Sequence, residues 1–298
     1  MDLDLACHLS AITPELAPAQ LVPVLHDLRE MGYRRAVLPP LDAASTDADA
    51  LADAFVRTGM LPIAMCGQAP DADVSSPDAD VRRAGVELLR ESVRFAERLG
   101  ADQLNGVPYG LFGRPSERVD PALLLESARA VGQVADEAAE RGIQMTFEVL
   151  NRYEEAAINT AAQAMDYVAA SGSAHLGVHL DSFHMAIEEA DAVQAIRTAM
   201  PRLRYLELGQ SGRGPLESGA VDVPTLVREA LDAGYRGRWG VEAFSRPLAG
   251  GAADALSIWR TPYADGLALA RDAIGVIRRG WAESIPGRRS HRLARATG

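Results

Sequence analysis

The sequence has little of what marks several broad classes of protein. It contains only two cysteines, Cys7 and Cys66, which is too few for a disulfide framework, and neither lies in a zinc-binding spacing. No run of about 18 apolar residues occurs, and no charged and then apolar leader is present, so we expect a protein of the reducing cytoplasm with no membrane partner. Acidic residues outnumber basic ones by 41 to 30, and the formal net charge of −11 argues against nucleic acid as the main partner.

What the chain does contain is a regular alternation of short apolar runs and helical patterns. The hydrophobic content of 48% is ample for a core. Eight strand and helix pairs follow one another at a spacing of about 25–45 residues, with no break in composition that would mark a linker. This alternation predicts a single α/β domain, a (β/α)₈ TIM barrel over residues 1–279. The strands are predicted at 3–8, 34–38, 61–66, 103–107, 145–150, 176–180, 203–208 and 238–244.

Proline, glycine and small polar residues set the predicted helix ends. One helix is expected to start at Ser75-Ser76-Pro77-Asp78 with the proline in its first turn, and to end at Gly100. The others are predicted at about 18–31, 47–57, 121–141, 160–172, 187–200, 222–234 and 257–278.

The last segment, residues 280–298, differs in character from the rest. Between Arg278 and Gly298 six arginines stand against one acid, Glu283. This composition predicts a solvated basic tail with partial disorder. The alternative is a contact with an acidic neighbouring subunit.

The centre of the chain, from Thr146 to Met185, predicts a strand, helix and strand in which each strand ends on an acid. Glu148 lies in the first apolar run, residues 145–150, and Asp181 comes just after the second, residues 176–180. Ligands bind at the carboxyl ends of the strands in parallel sheets, so both acids are placed for chemistry.

The same reasoning applied to every strand gives a set of polar residues at one end of the barrel. They are His8, Cys66, Asn105, Glu148, Asp181, Glu207 and Glu242. A single acid here is more often solvent-facing or a salt-bridge partner, but four on consecutive strands converge. Four carboxylates this close cannot all ionise without compensation. We therefore expect a divalent cation, and hard oxygen ligands suit Mn²⁺ or Mg²⁺, with Co²⁺ as a substitute.

Two strings also resemble a known family. EVLNRYE at 148–154 and LDSFHMAIEE at 180–189 are similar to the D-tagatose 3-epimerase/D-psicose 3-epimerase group of ketose 3-epimerases, which are xylose-isomerase-like TIM barrels. Supporting strings are INTAAQA, SSPDADVRRAGVELL, VEAF and IWR, and the resemblance extends over about residues 61–273.

The resemblance implies a metal-dependent isomerase that inverts C3 of a free ketose by proton transfer through a metal-stabilised enediolate. Glu148, Asp181 and Glu242 match three metal ligands, and Glu148 and Glu242 also match the two acid/base carboxylates. The positions that match substrate-binding or pocket-lining residues are Glu154, His184, Arg213, Cys66 and Gly106. It also implies a homodimer or homotetramer.

The chain departs from the family pattern on strand seven. Where the family has a histidine ligand followed by Gly-Glu, this chain has Glu207-Leu208-Gly209-Gln210. We infer that Glu207 replaces the imidazole and gives an all-carboxylate metal site. Such a site should favour a harder ion and bind it more weakly at acid pH, because each ligand must be deprotonated.

Several residues have a simpler interpretation as well. His8 fits either a pocket-lining or a structural role, and a cysteine such as Cys66 is more often a buried apolar residue than a reactive one. His184 could be a helix-start histidine satisfied by the backbone, and Arg213 a solvated loop residue. The segment GQSGRG is the one candidate phosphate loop and a weak signal, so a free sugar is favoured over a phosphorylated one.

Other activities use the same set of residues. An aldose-ketose isomerase needs only one base, and a dehydratase or lyase acting on a keto-sugar or keto-cyclitol starts from the same enolate. A non-catalytic sugar-binding protein is the alternative outside enzymes. The apolar loop Tyr109-Gly110-Leu111-Phe112 is expected to be exposed and either to cover a substrate or to meet a second subunit.

Overall fold

A computed structural model describes residues 1–296 of the chain, and its eight parallel strands close into a barrel in sequence order, with β8 hydrogen-bonded to β1. The predicted (β/α)₈ TIM barrel is therefore confirmed. The strands are β1 (Leu5–His8), β2 (Arg35–Val37), β3 (Leu61–Cys66), β4 (Gln103–Gly106), β5 (Gln144–Val149), β6 (Gly177–Asp181), β7 (Leu203–Gly209) and β8 (Arg238–Glu242).

Helices connect the strands and cover the outside of the barrel. They are α1 (Pro18–Met31), α2 (Ala48–Thr58), α3 (Ala79–Leu99), α4 (Pro121–Glu140), α5 (Ala161–Ser171), α6 (Ser182–Glu188), α7 (Ala192–Ala199), α8 (Val223–Asp232), α9 (Gly266–Glu283) and α10 (Ile285–Ala296). The apolar faces of α1 to α9 pack on the outer faces of the strands in one large core.

Side-chain caps decide where the helices begin, and they correct two predicted starts. The carboxylate of Asp78 accepts hydrogen bonds from the first-turn N–H groups of α3, so Asp78 is the N-cap and Pro77 lies outside the helix. Asp265 caps α9 in the same way, so the last barrel helix begins at Gly266 rather than near Ser257. At α5, Thr160 and Gln163 form a reciprocal capping box.

The helix predicted at 187–200 is in fact two helices. Asp181, the last residue of β6, accepts from the N–H of Phe183 and starts α6 directly at the strand end. Asp191 then accepts from the N–H groups of Val193 and Gln194 and starts α7. The prediction missed α6 because the strand and the helix share Asp181, which leaves no loop signal between them.

The basic C-terminal segment is helical over Ile285–Ala296, and its residues Arg288, Arg289 and Arg292 are exposed to solvent. Its predicted partial disorder stays a prediction. Residues 281–283 complete α9, and α10 begins with the N–H of Ile285 donating to Asp232 on α8. The rings of Trp281 and His291 pack edge to face at 5.5 Å. Residues 297 and 298, which belong to the predicted tail, lie outside the described part of the chain.

Ion pairs close the amino-terminal end of the barrel, and apolar side chains fill its middle. Arg35 is buried and pairs with Asp4 and Asp102, and Arg238 also pairs with Asp102 at 2.7 Å. Above this network, Ala6, Val37, Ile63 and Tyr205 form a separate apolar cluster inside the barrel. The cavity of the molecule therefore opens at the carboxyl ends of the strands.

Candidate active site at the carboxyl end of the barrel

The strand register brings the predicted acids together. In the parallel pairs, Glu148 stands opposite His179, Asp181 opposite Glu207, and Gly209 opposite Glu242. Alternate residues of a barrel strand point inward, so these side chains enter the interior. The four predicted acids are all buried, with exposed fractions of 0 to 6%. Each is within reach of at least one other potential ligand atom.

Arg213 lies between two of the acids. Its Nη1 donates to Oδ2 of Asp181 at 2.8 Å and to Oε2 of Glu242. The guanidinium also packs flat on the ring of Phe183, 3.8 Å from the ring centroid. Arg213 itself has a left-handed backbone conformation, with φ of 54°. Arg213 is thus part of the site and not a solvated loop residue.

His184 is held as a hydrogen-bond donor toward Glu148. Its Nδ1 accepts from the backbone N–H of Asn151 at 3.1 Å, which in the neutral ring leaves the proton on Nε2. Nε2 lies 3.3 Å from Oε1 of Glu148. Burial and the nearby charge of Arg213 lower the pKa of His184 to about 4, so the ring is neutral at pH 7.

Asn151 is a site residue that the sequence reasoning missed. Besides its contact with His184, its Nδ2 donates to Oε1 of Glu154 at 3.0 Å and so fixes a predicted substrate-binding carboxylate. The signal was present, because Asn151 lies inside the string EVLNRYE that carries the family resemblance.

Glu207 lies between two histidines. Its Oε1 is 2.8 Å from Nε2 of His8, and its Oε2 is 3.1 Å from Nε2 of His179. Nδ1 of His8 in turn lies 3.4 Å from Oε1 of Glu242. His179 was not predicted, because the sequence reasoning took one polar residue from each strand end. Its place two residues before Asp181, on the same side of β6, was the available signal.

The crowded carboxyl groups have strongly displaced pKa values. Burial raises the pKa of Glu242 to about 7, against the opposing charge of Arg213 and with Glu207 and Glu148 as further causes. Burial likewise raises the pKa of Asp181 to about 6 and that of Glu148 above its usual value. Glu207 is the exception, since His8 and His179 outweigh its burial and lower its pKa.

The donor set fits a divalent cation. Buried polar atoms of three of these residues have no hydrogen-bond partner among the described residues: Nε2 of His8, both ring nitrogens of His179 and Oε2 of Glu207. Carboxylate oxygens and imidazole nitrogens within 4.8 Å of one another occur in three overlapping groups. These ligand types suit Mn²⁺ and Co²⁺, and the oxygens alone suit Mg²⁺.

A cavity of about 330 Å³ stands over these groups. Its lining includes most of the predicted site residues, namely His8, Cys66, Glu148, Glu154, His184, Arg213 and Glu242. Apolar walls come from Phe112, Leu150 and Phe244. A polar floor with apolar walls at this volume is typical of a small-molecule site.

Two predicted positions, Gly106 and Asn105, do not line the cavity. Gly106 ends β4 with φ of +123°, and a Cβ there would collide with the carbonyl oxygen of Cys66, so this glycine lets β3 and β4 approach closely. Its neighbour Val107 lines the cavity. Asn105 lies inside the barrel, where it accepts from the hydroxyl of Thr146 at 2.8 Å.

The loop from Tyr109 to Phe112, which was predicted to be exposed, is exposed only in part. Tyr109 is fully buried, and its hydroxyl donates to the carbonyl oxygen of Glu148 at 2.9 Å. Leu111 and Phe112 are about 40% exposed, and Phe112 lines the cavity. Tyr109 therefore supports β5 from the side, while the next residues form part of the cavity mouth.

Comparison with known proteins agrees with this geometry. The model of the xylose isomerase-like TIM barrel family matches residues 25–273. The chain is 38% identical over 251 residues to a ketose 3-epimerase of Arthrobacter globiformis, covering 84% of this chain and 87% of the relative. It is 33% identical over 258 residues to an L-ribulose 3-epimerase of Mesorhizobium japonicum, covering 86% and 87%.

The chain is also similar to solved structures of 3-epimerases. A structure of an L-ribulose 3-epimerase superposes with a TM-score of 0.89 at 30% identity and covers 98% of both chains. A D-allulose 3-epimerase of Methylomonas in complex with D-allulose superposes with a TM-score of 0.88 at 28% identity, covering 93% of this chain and 96% of that one.

Fold and site together define a xylose isomerase-like TIM barrel, the family to which this chain belongs. Within that family the protein is an enzyme of the ketose 3-epimerase type, and hence an isomerase. Across residues 1–296, no helix combines the length and apolar character needed to cross a bilayer.

Proposed function

We propose that the protein inverts C3 of a free ketose by moving a proton off one face of that carbon and onto the other. The observation that carries this proposal is a pair of buried carboxyl groups, Glu148 on β5 and Glu242 on β8, that line the same cavity. Inversion needs an acid or base on each face of the carbon, and two strands three positions apart around the barrel can supply them.

The two carboxyl groups suit proton transfer near neutral pH. General acid-base catalysis is most efficient when the pKa of the catalytic group is close to the working pH. Burial, together with Glu207 and Glu148, raises the pKa of Glu242 to about 7 in the metal-free protein. Burial also raises the pKa of Glu148. In either direction of reaction, one carboxylate takes the proton and the other, as the acid, returns one.

Other side chains bind and orient the sugar. The Nε2 proton of His184 and the guanidinium of Arg213 are the donors available to an oxygen that gains charge. Glu154, fixed by Asn151, is placed to accept from sugar hydroxyls. Phe112 and Phe244 help to exclude water from the cavity.

We assign Glu148, Asp181, Glu207 and Glu242 as residues that hold a divalent metal, with Mn²⁺ as the first candidate and Mg²⁺ or Co²⁺ as alternatives. The buried, unpartnered oxygen of Glu207 and the raised pKa values of the other three support this assignment. When bound, such a cation polarises the sugar carbonyl and offsets the negative charge of its ligands.

A free sugar fits the cavity better than a sugar phosphate. Among the described residues that line it, the one guanidinium is that of Arg213, which already pairs with Asp181 and Glu242. A phosphate group would need further cations or a helix N-terminus. The names of the relatives, which are ketose and L-ribulose 3-epimerases, support the same substrate class.

The proposal also covers the number of subunits and the cellular compartment. We expect a cytoplasmic homodimer or homotetramer. Leu111, Tyr153 and Trp259 are exposed apolar side chains in loops at the carboxyl end of the barrel and are available for a subunit contact. Light scattering during size-exclusion chromatography would measure the number of subunits, and a monomer would contradict this expectation.

The test of the activity is proton NMR in D₂O with Mn²⁺-loaded protein freed of excess ion. D-Fructose, D-tagatose, D-psicose and L-ribulose form the panel. We expect deuterium at C3 together with the epimeric ketose. Glu148→Gln and Glu242→Gln should each reduce kcat by at least about 100-fold, since each removes one of two required proton carriers.

Glu155→Gln is the matched control, because Glu155 is equally buried and close to the site strand, and it accepts from the backbone N–H groups of residues 157 and 158. It should retain activity. Deuterium found only at C1 would instead indicate an aldose-ketose isomerase. No exchange anywhere in the panel would contradict the proposal.

A further inference from the structure

His179 is a buried polar residue to which neither the fold nor the proposed acid-base chemistry assigns a role. It lies on β6 two residues before Asp181 and is fully buried in the barrel interior. Its ring packs edge to face on Tyr205, with the ring centroids 4.7 Å apart. Neither of its ring nitrogens has a hydrogen-bond partner among the described residues.

The imidazole is directed at two of the proposed metal-binding acids. Its Nε2 lies 3.1 Å from Oε2 of Glu207, an oxygen that also lacks a hydrogen bond. Glu148, His179 and Glu207 each offer one ligand atom, and these three atoms lie within 4.8 Å of one another. An unpartnered buried nitrogen beside two buried carboxylates indicates that a shared cation completes the group.

The other two histidines of the site are less able to act as ligands. Nδ1 of His184 accepts from the backbone of Asn151, which puts the ring proton on Nε2, the nitrogen that faces the acids. Both nitrogens of His8 face carboxylates, at 2.8 Å from Glu207 and 3.4 Å from Glu242, so His8 is suited to bridge them as a donor. Of the three, His179 is the one whose two ring nitrogens both lack a partner among the described residues, whereas His8 has one such nitrogen.

We propose that His179 is a direct ligand of the divalent metal, together with Glu148 and Glu207. The assignment rests on the proposed function, which supplies the metal. It replaces the expectation of an all-carboxylate site: the imidazole missing from strand seven, where Glu207 stands, is provided by strand six. A nitrogen ligand favours Mn²⁺ or Co²⁺ over Mg²⁺.

Pulsed electron paramagnetic resonance of the Mn²⁺-loaded protein tests this without measuring activity, because it detects the nuclear spin of a coordinated nitrogen. We expect a ¹⁴N coupling in the native protein that becomes a ¹⁵N coupling when histidine is ¹⁵N-labelled. His179→Gln should abolish it and raise the Kd for Mn²⁺ at least about tenfold. The preference for Mn²⁺ over Mg²⁺ should shrink in the same variant.

His8→Gln and His184→Gln are the matched controls, and both should keep the nitrogen coupling. They identify His179 by elimination even if His179→Gln does not fold. Two results would overturn the assignment and leave the proposed function intact. One is Mn²⁺ binding without any coupling to a histidine nitrogen. The other is a coupling that is lost in either control and kept in His179→Gln. A protein that binds no divalent metal would overturn both.

Discussion

Gly240 gives a quantitative test of how Glu207 is packed. The glycine lies on β8 directly opposite Glu207 on β7. A Cβ added to Gly240 would overlap Oε1 of Glu207 and the hydroxyl of Tyr205, and would lie 2.7 Å from Cζ of the tyrosine ring. Glu207 and Tyr205 are fully buried inside the barrel, so neither side chain can move into solvent. Gly240→Ala therefore forces a shift of the buried carboxylate.

The size of the effect follows from overpacking. Adding one methyl group to a filled interior costs about 1–3 kcal/mol of unfolding free energy. With an unfolding entropy of about 2.1 cal/mol/K per residue, a chain of 298 residues changes its Tm by about 1.6 °C for each kcal/mol. We expect the Tm of metal-free Gly240→Ala to fall by about 2–5 °C.

Gly275→Ala is the matched control. Gly275 lies in the middle of α9, and a Cβ added there has no atom within 4 Å. Alanine in a helix interior is favoured over glycine by about 0.5–1 kcal/mol, so this variant should be slightly more stable than the native protein.

Chemical denaturation measures the free energy of unfolding of both variants, and calorimetric titration measures their affinity for Mn²⁺. Gly240→Ala should also bind Mn²⁺ more weakly, because the displaced carboxylate is a proposed ligand. A Gly240→Ala protein with native stability and native Mn²⁺ affinity would refute the packing described for Glu207.

Three further predictions concern charge and the C-terminal helix. The affinity for Mn²⁺, measured by titration from pH 8 to 5, should fall as pH drops through about 7 and then 6, because protons compete for Glu242 and Asp181. Arg213→Met should destabilise the metal-free protein by about 3–5 kcal/mol in denaturant, and Mn²⁺ should recover part of this by replacing the lost positive charge. Deleting residues 285–298 should lower the Tm and red-shift tryptophan fluorescence, since α10 contacts Trp281; unchanged values would show that α10 does not support α9.

The sequence was sufficient for the architecture because its signals are local. Short apolar runs separated by capped amphipathic segments repeat eight times, which at this length is typical of a closed parallel barrel. β3 was predicted with its observed bounds, 61–66, and α1 with its bounds, 18–31. Where an aspartate both ends a strand and caps a helix, as Asp181 does, the local signals merge and α6 was missed.

The acids at the strand ends could also be found from the sequence. In a parallel barrel all strands end on the same side, so Glu148, Asp181, Glu207 and Glu242 had to converge once the strands were located. The string EVLNRYE added the family. Neither source required knowledge of distances between residues far apart in the chain.

Contacts between strands were decided by the tertiary structure. His179 becomes a candidate ligand because the register sets it opposite Glu148 while the next strand brings Glu207 to 3.1 Å. Arg213 pairs with Asp181 and Glu242 because a loop after β7 turns back over the barrel mouth. The sequence by itself thus determined the fold and the acids at its mouth, since these follow from periodicity and strand direction. Only the tertiary structure decided which histidine faces which acid, because register and loop path are not encoded in any one segment.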